Sequence, residues 1–224
     1  GVIHSGIYYK PGSLKAENCR VGREQLVEFS MNHGIAHRIC GKMIVATNER
    51  EVEVLDEIFV NGLKNKTPGI KQIDAAEITV LEPSIKGLKA IWVPSAGIID
   101  YIAVAKKFME LVLVSNDDNR LFLNENVIDL NRIGEEIEIV SNKQTIKARK
   151  VIVCGGLFSD RLAKIDDIKL DMQIVGFRGD YYELLEHAKY KVNNLIYPVP
   201  DPKYPFLGVH YTPMIGGEVE CGPN

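Results

Sequence analysis

The chain has 224 residues, 46% of them hydrophobic and 25% charged, and carries a formal net charge of -3 at pH 7. This composition is typical of a globular protein, and the small negative charge offers no basic field for nucleic acid. No apolar run approaches the roughly 20 residues that a membrane-spanning helix needs. The four cysteines have neither CxxC nor metal-ligand spacing. We therefore expect free thiols, a cytoplasmic location and no metal site.

The first 35 residues predict a buried loop followed by a long helix. Residues 1–9 are apolar and punctuated by glycine, with His4 either lining a site or serving as a core histidine. Ser13 is a suitable N-cap for a helix that extends to about His33. Gly22 within this helix predicts close packing against a neighbouring element.

The next stretch alternates strands and amphipathic helices. Asp74 and Glu77 have the spacing of a capping box, and Asp100 is placed to cap a further helix. The predicted strands lie at residues 40–47, 90–94, 120–130, 136–140 and 144–148, and the predicted helices at 49–62, 74–81 and 101–114.

Residues 150–163, KVIVCGGLFSDRLA, combine a short apolar run, two glycines and a helix start. Residues 151–153 predict a buried strand, with Cys154 as a small core residue beside it. Ser159 is a candidate N-cap. A strand, a glycine turn and a helix N-terminus form an arrangement that accommodates a dinucleotide or phosphate. A structural turn without a ligand explains the glycines equally well.

The last 54 residues, 171–224, predict a β-rich region. Residues 195–200 read as an edge strand because prolines bound them. Along residues 206–212, alternation places Gly208 and His210 on the same face, where the glycine would leave room for a ligand. A further strand is predicted at 217–221. The chain as a whole predicts an α+β fold with a largely antiparallel sheet and flanking helices.

Six stretches, occurring in the same order along the chain, resemble the flavin-dependent D-amino-acid-oxidase-like (DAO) superfamily. Within it they are most similar to the L-2-hydroxyglutarate oxidase/dehydrogenase branch. The stretches are residues 1–16, 40–47 (CGKMIVAT), 94–101 (PSAGIIDY), 151–163, 177–184 (FRGDYYEL) and 195–224.

The resemblance implies two domains. Residues 1–35 and 120–170 would be a remnant of a Rossmann-like FAD/NAD(P)-binding domain, and residues 36–119 and 171–224 a substrate-binding domain. The glycine-rich first strand and the last flavin-binding segment of the family have no counterpart in this sequence. We therefore expect the chain alone to be an inactive fragment that retains little FAD and self-associates through an open strand edge.

The implied activity is oxidation of a 2-hydroxy acid, L-2-hydroxyglutarate, to its 2-oxo acid with hydride transfer to FAD. One alternative is a related flavoenzyme of the glycerol-3-phosphate dehydrogenase or amine/amino-acid oxidase type. Another is a non-catalytic ligand-binding domain. The electron acceptor remains open between oxygen and a quinone, and so does peripheral association of the parent protein with the inner membrane.

His210 is the first candidate for the base that takes the hydroxyl proton, because the ordinary histidine pKa lies near working pH. A core histidine is the competing interpretation, and His4 is the second candidate. Arg178 could bind a carboxylate with its planar fork, or pair with Asp180 or Glu183. Tyr197 could donate a hydrogen bond. The remaining candidates are Tyr8, Lys42 and Thr212 for substrate, and Val127, Gly155, Gly156 and Leu157 for backbone contacts with FAD.

Overall fold

A computed structural model describes residues 1–201, 203 and 208–223 and confirms a mixed α+β fold. The chain forms two compact units, Gly1–Leu111 with Gly179–Asn224, and Val112–Arg178. The helices are α1 (Leu14–Asn32), α2 (Glu49–Lys64), α3 (Ala75–Leu81), α4 (Tyr101–Ser115) and α5 (Ser159–Ile165). The strands are β1 (Val2–Ile3), β2 (His37–Arg38), β3 (Lys42–Ala46), β4 (Lys71–Asp74), β5 (Lys89–Val93), β6 (Gly97–Ile99), β7 (Val127–Ile133), β8 (Glu136–Ser141), β9 (Thr145–Ala148), β10 (Tyr182–Glu183), β11 (Leu195–Pro198), β12 (His210–Pro213) and β13 (Val219–Gly222).

The first unit is built on a seven-stranded sheet with the order β10-β13-β12-β11-β3-β5-β4. Only the β11–β3 pair is parallel, which confirms the largely antiparallel prediction. The prediction that residues 195–200 form an edge strand is wrong, because β11 lies between β12 and β3. Pro198 is the last residue of β11, so its missing N–H removes no hydrogen bond from the middle of the strand.

The two faces of this sheet carry different side chains because strand residues alternate. Ile44, Ile91 and Leu195 belong to one buried cluster, whereas Met43 and Ile196 belong to another. Lys42 lies two residues from Ile44 and therefore shares its face. The register places Tyr197 and His210 on that face as well. One charged residue thus lies among the apolar side chains of a buried surface.

The predicted helix caps are confirmed. The Ser13 hydroxyl accepts from the Ala16 amide, the capping box of Asp74 and Glu77 is present, and the Asp100 carboxylate accepts from two amides of α4. The prediction of close packing at Gly22 is wrong, since no atom lies within 4 Å of a Cβ placed there. No helix among the described residues is long and apolar enough to cross a membrane.

The second unit contains a β7-β8-β9 meander and α5, and it corrects several predictions. Residues 151–153 form no strand, Ile152 is 88% exposed, and Cys154 is exposed rather than in a core. An apolar run becomes a strand only with a hydrogen-bonding partner, and no described strand pairs with it. Helix α5 begins at Ser159 itself, so this residue is not the N-cap. Residues 120–126 also lie outside the sheet.

The predicted β-rich region after residue 170 is mostly irregular. Residues 171–180 are exposed, and in this region only β10 joins the sheet before β11. The strand predicted at 206–212 is confirmed from His210 onward. Residues 206 and 207 lie outside the described residues.

A buried carboxylate fixes the start of β11. Glu82 is fully buried, and its oxygens accept hydrogen bonds at 2.6–3.3 Å from the backbone and side-chain amides of Asn193 and Asn194. Charge-assisted bonds of this kind are stronger than bonds between neutral groups. Glu82 therefore anchors the segment from which Tyr197 extends.

Glu82→Gln should lower the free energy of unfolding by about 2 kcal/mol, because an amide NH2 would face donors that then lack an acceptor. Urea unfolding measures the change. Glu77→Gln is a suitable control because Glu77 is largely exposed. Equal stability of the Glu82 variant and the wild type would show that these bonds contribute nothing net.

Candidate functional site

His210 and Tyr197 meet face to face on neighbouring strands. Their rings stack with centroids 4.2 Å apart and an interplanar angle of 20°. In the antiparallel pair of β11 and β12, Ile196 lies opposite Tyr211, which puts Tyr197 opposite His210. Tyr181 approaches His210 edge-on at 6.4 Å. The predicted candidates His210 and Tyr197 are therefore brought together.

The hydrogen bonding of His210 defines which nitrogen can accept a proton. Nδ1 lies 2.9 Å from the carbonyl oxygen of Gly208, and a carbonyl only accepts, so Nδ1 must donate. Nε2 of the neutral ring then carries the free lone pair. Burial lowers the pKa of His210, and the charge of Lys42 adds to this, against opposing effects of the Gly208 bond and Glu220. The ring is held neutral and ready to accept a proton at Nε2.

Lys42 is a buried cation between two aromatic rings. The residue is 2% exposed, and its Nζ lies 4.5 Å from the ring centroid of Tyr8 and 4.7 Å from that of Tyr197. Among the described residues, no carboxylate forms an ion pair with it. Burial lowers the pKa of Lys42 from 10.5 to about 7.

The backbone before Lys42 permits only glycine. Gly41 has φ of +84°, and a Cβ at this position would collide with the Trp92 ring. Its amide donates to Ala96 and its carbonyl accepts from Leu195. The start of β3 is thus held from two sides, which fixes where the Lys42 side chain leaves the sheet.

The two tyrosine hydroxyls beside Lys42 differ in their partners. The Tyr8 hydroxyl is buried and has no hydrogen-bond partner among the described residues. Burial raises its pKa well above the usual value, with a smaller contribution from Tyr197. Burial also raises the pKa of Tyr197 to about 12, although a hydrogen bond with the buried Thr212 acts in the opposite direction. Both phenols therefore stay protonated and can donate.

His4 and Cys19 complete the group, which we call the Lys42 cluster: His4, Tyr8, Cys19, Lys42, Tyr197 and His210. The Cys19 thiol donates to the His4 carbonyl over 3.4 Å. Partial burial lowers the pKa of His4, and the charges of Lys42 and His210 lower it further. His4 is exposed, so the cluster reaches the surface at this residue.

Sequence reasoning missed Cys19, Tyr181 and Glu220 as neighbours of the site. Cys19 lies on α1, and its contact with residue 4 depends on how the chain folds back. Lys42 could have been ranked higher from the sequence, because a lysine inside CGKMIVAT interrupts an otherwise apolar strand. The expectation of ligand space beside Gly208 is wrong, since a Cβ there would lie 2.8 Å from Pro198 Cγ.

Arg178 and the four candidate FAD contacts all belong to the second unit. Arg178 is exposed, and Val127 begins β7. A Cβ on Gly155 would lie 2.5 Å from Leu162 Cδ1, so the turn packs closely on the end of this α5 side chain. Gly156 has φ of +54° with open space beside it, and Leu157 is 70% exposed. The main chain at residues 156–157 is therefore accessible, so a cofactor could reach it.

The described clefts lie away from the Lys42 cluster. One of them, of about 470 Å³, is in the first unit, with Arg38, Lys189 and Glu218 among its lining residues. The two smaller clefts are not lined by the cluster either. In the described part of the chain, no three His, Cys, Asp or Glu side chains are grouped to hold a metal ion.

Comparisons with known proteins place these features in a family context. The family described as FAD dependent oxidoreductase (DAO) matches residues 1–224. L-2-hydroxyglutarate dehydrogenase of Indibacter alkaliphilus is 43% identical over 225 residues, covering 100% of this chain and 56% of the relative. The human mitochondrial L-2-hydroxyglutarate dehydrogenase is 39% identical, with 100% and 50% covered. The chain thus spans about half the length of these curated relatives.

Solved structures share the fold. FAD-bound L-α-glycerophosphate oxidase from Mycoplasma pneumoniae superposes with a TM-score of 0.83 at 22% identity, over 100% of this chain and 59% of the other. Glycine oxidase from Bacillus cereus gives a TM-score of 0.78 at 17% identity, over 99% and 60%. At these identities, the likeness concerns the fold alone.

Proposed function

Since the chain belongs to the DAO family of FAD-dependent oxidoreductases, we propose that it forms the substrate-holding part of an enzyme that oxidises a 2-hydroxy acid. Relatives at 39–43% identity named L-2-hydroxyglutarate dehydrogenase support L-2-hydroxyglutarate as the substrate. One observation carries the proposal: His210 and Lys42 both contact the ring of Tyr197. His210 is neutral with a free Nε2 lone pair, and Lys42 is buried.

His210 acts as the general base in this proposal. Its Nε2 takes the proton of the substrate hydroxyl, and the Nδ1–H bond to Gly208 holds the ring in the required tautomer. Tyr197 stacks on the ring and limits its rotation. His4, at the exposed edge of the Lys42 cluster, is the second candidate base. FAD, when bound, supplies the acceptor for the hydride that leaves C2.

The remaining roles are proposed by residue. We propose Tyr8, Lys42 and Thr212 as substrate-binding residues of the first unit. Arg178, which belongs to the second unit, is proposed separately as a cation that can bind a carboxylate. Val127, Gly155, Gly156 and Leu157 hold FAD through the main chain. We propose that residues 120–170, with 1–35, derive from the cofactor domain and the rest from the substrate domain. Residues 1–35 nevertheless belong to the first compact unit.

The second candidate is a related flavoenzyme that acts on a phosphate ester or an amino acid. Glycerol 3-phosphate and glycine represent these two substrate classes in the test below. A buried lysine can bind a phosphate as well as a carboxylate. Oxygen and a quinone are the two candidate electron acceptors for the second half-reaction. Association of the complete protein with a membrane surface is a further candidate property.

Anaerobic flavin bleaching tests the proposal on flavin-loaded protein expressed from the complete reading frame. The panel is L-2-hydroxyglutarate, its D enantiomer, glycerol 3-phosphate and glycine. We expect only L-2-hydroxyglutarate to reduce the flavin rapidly. Reduction by glycerol 3-phosphate or glycine alone would replace the proposed substrate. A flavin that none of the four compounds reduces would reject the assignment.

A further inference from the structure

We propose that the Lys42 ammonium and the Tyr8 hydroxyl form a socket that binds one carboxylate of the substrate. This inference rests on the proposed function, and it names the groups that recognise the acid. The proximity of a buried lysine that forms no ion pair in the described part of the chain and a buried hydroxyl without a hydrogen-bond partner carries it.

The first observation is the missing counter-charge of Lys42. Lys42 is 2% exposed, and Nζ is flanked by the faces of Tyr8 and Tyr197 rather than by an acid. Aromatic faces attract a cation but offer no lone pair to its three N–H groups. A buried ammonium is stable only when it is paired. An anionic ligand would provide the counter-charge that the described part of the chain does not supply to Lys42.

The second observation is the Tyr8 hydroxyl. It is buried without a partner among the described residues, and its raised pKa keeps the proton on the oxygen. Most buried polar side-chain atoms in native proteins have a partner, so an unpartnered hydroxyl on the ring that lies 4.5 Å from Lys42 Nζ indicates an acceptor supplied by a ligand. A carboxylate offers two oxygens, one for the ammonium and one for the phenol.

The surroundings favour a ligand with a single negative charge. His4 faces Lys42 from the segment after β1, Cys19 from α1, Tyr197 from β11 and His210 from β12. Cys19 has a raised pKa and is neutral near pH 7, and Glu220 acts on His210. Once Lys42 is protonated, the socket holds one cation and one neutral donor, which matches a carboxylate better than a phosphate dianion.

Ligand binding should draw a proton into the site. Because burial lowers the pKa of Lys42 to about 7, about nine-tenths of the free sites are unprotonated at pH 8. A carboxylate beside the amine would favour the ammonium form. Calorimetry of 2-oxoglutarate binding at pH 8, in buffers of different ionisation enthalpy, should therefore report uptake approaching one proton per ligand bound.

Three variants of the flavin-loaded protein test the socket, each compared with wild type for 2-oxoglutarate Kd and for L-2-hydroxyglutarate KM. Lys42→Met should weaken binding about 100-fold and abolish the proton uptake, because it removes a charge-assisted contact. Tyr8→Phe should weaken binding about 10-fold and keep the proton uptake. Lys71→Met, on edge strand β4 where Lys71 pairs with Glu77 at the surface, should match wild type.

The outcomes separate the socket from the proposed function. Wild-type turnover of L-2-hydroxyglutarate together with wild-type affinity in Lys42→Met would overturn the socket alone. Wild-type protein that neither binds 2-oxoglutarate nor is reduced by L-2-hydroxyglutarate would reject the proposed function. Tighter binding of inorganic phosphate than of 2-oxoglutarate would overturn the carboxylate assignment. If Lys42→Met does not fold, Tyr8→Phe and the proton uptake of wild type decide the matter.

Discussion

Replacing His210 with asparagine should lower kcat for L-2-hydroxyglutarate about 10²- to 10⁴-fold, the usual contribution of a positioned general base. Asparagine keeps a polar side chain of similar reach at the first position of β12. It cannot accept the hydroxyl proton, whereas His210 Nε2 is free to do so because Nδ1 donates to Gly208. Substrate KM should change much less than kcat, because the proton moves in the transition state.

The pH profile gives an independent check on the same residue. His210 must be neutral to act, and burial lowers its pKa below the usual 6.5. The wild-type kcat/KM should therefore fall on the acid side as pH drops through that lowered pKa. His210→Asn should lose this acid limb.

His187→Asn is the matched control for His210→Asn. His187 is an exposed histidine of the same unit, and its replacement should leave kcat and the acid limb unchanged. A large loss of kcat in His4→Asn combined with near wild-type turnover in His210→Asn would transfer the base role to His4. Near wild-type turnover in both variants would remove histidine from the proton transfer.

Lys42→Met should make the ligand-free protein more stable by about 3 kcal/mol at pH 7. The pKa of Lys42 falls from 10.5 to about 7 on folding. At about 1.4 kcal/mol per unit, this corresponds to a cost on the order of 5 kcal/mol. Loss of the contacts with the two tyrosine rings offsets about 2 kcal/mol of the gain. Methionine fills a similar volume without a charge to desolvate.

The pH dependence distinguishes this effect from better packing. Between pH 7 and 10.5 the unfolded chain binds a proton at Lys42 that the folded protein has released, so wild-type stability rises with pH over this range. Lys42→Met should lack that contribution, and its advantage over wild type should shrink at pH 9.5. Urea unfolding at both pH values measures it, with Lys71→Met as control.

Equal or lower stability of Lys42→Met at pH 7 would contradict the prediction and imply that Lys42 is already paired in the ligand-free protein. The predicted combination is a more stable protein with weaker carboxylate binding. That combination is characteristic of binding groups, which are kept at a cost in stability.

Local signals predicted the elements whose stability is local. The Ser13 cap, the Asp74–Glu77 capping box and the Asp100 cap depend on residues within one turn of the helix they start. The alternation predicted along residues 206–212 likewise holds from His210 onward, where His210 and Thr212 are buried and Tyr211 between them is only half-buried, because a strand presents every second residue to one face.

Predictions failed where an element depends on a partner distant in sequence. Residues 151–153 have the composition of a buried strand, yet they form no strand and Ile152 is 88% exposed. The prolines after residue 197 suggested an edge, but β11 pairs with β3 and β12 because Pro198 ends the strand. Composition indicates the strand propensity of a segment. Whether the segment forms a strand depends on the neighbouring strands with which it can pair.

The sequence alone was sufficient for the family resemblance, for the α+β class and for His210, Tyr197, Tyr8 and Lys42 as separate candidates. Only the tertiary structure brought those four together, since Tyr8 and Lys42 are far in sequence from Tyr197 and His210 on β11 and β12. Burial then gives the group its chemistry. Desolvation in the folded state, which a sequence does not display, keeps His210 neutral, lowers the pKa of Lys42 and leaves the Tyr8 hydroxyl without a partner.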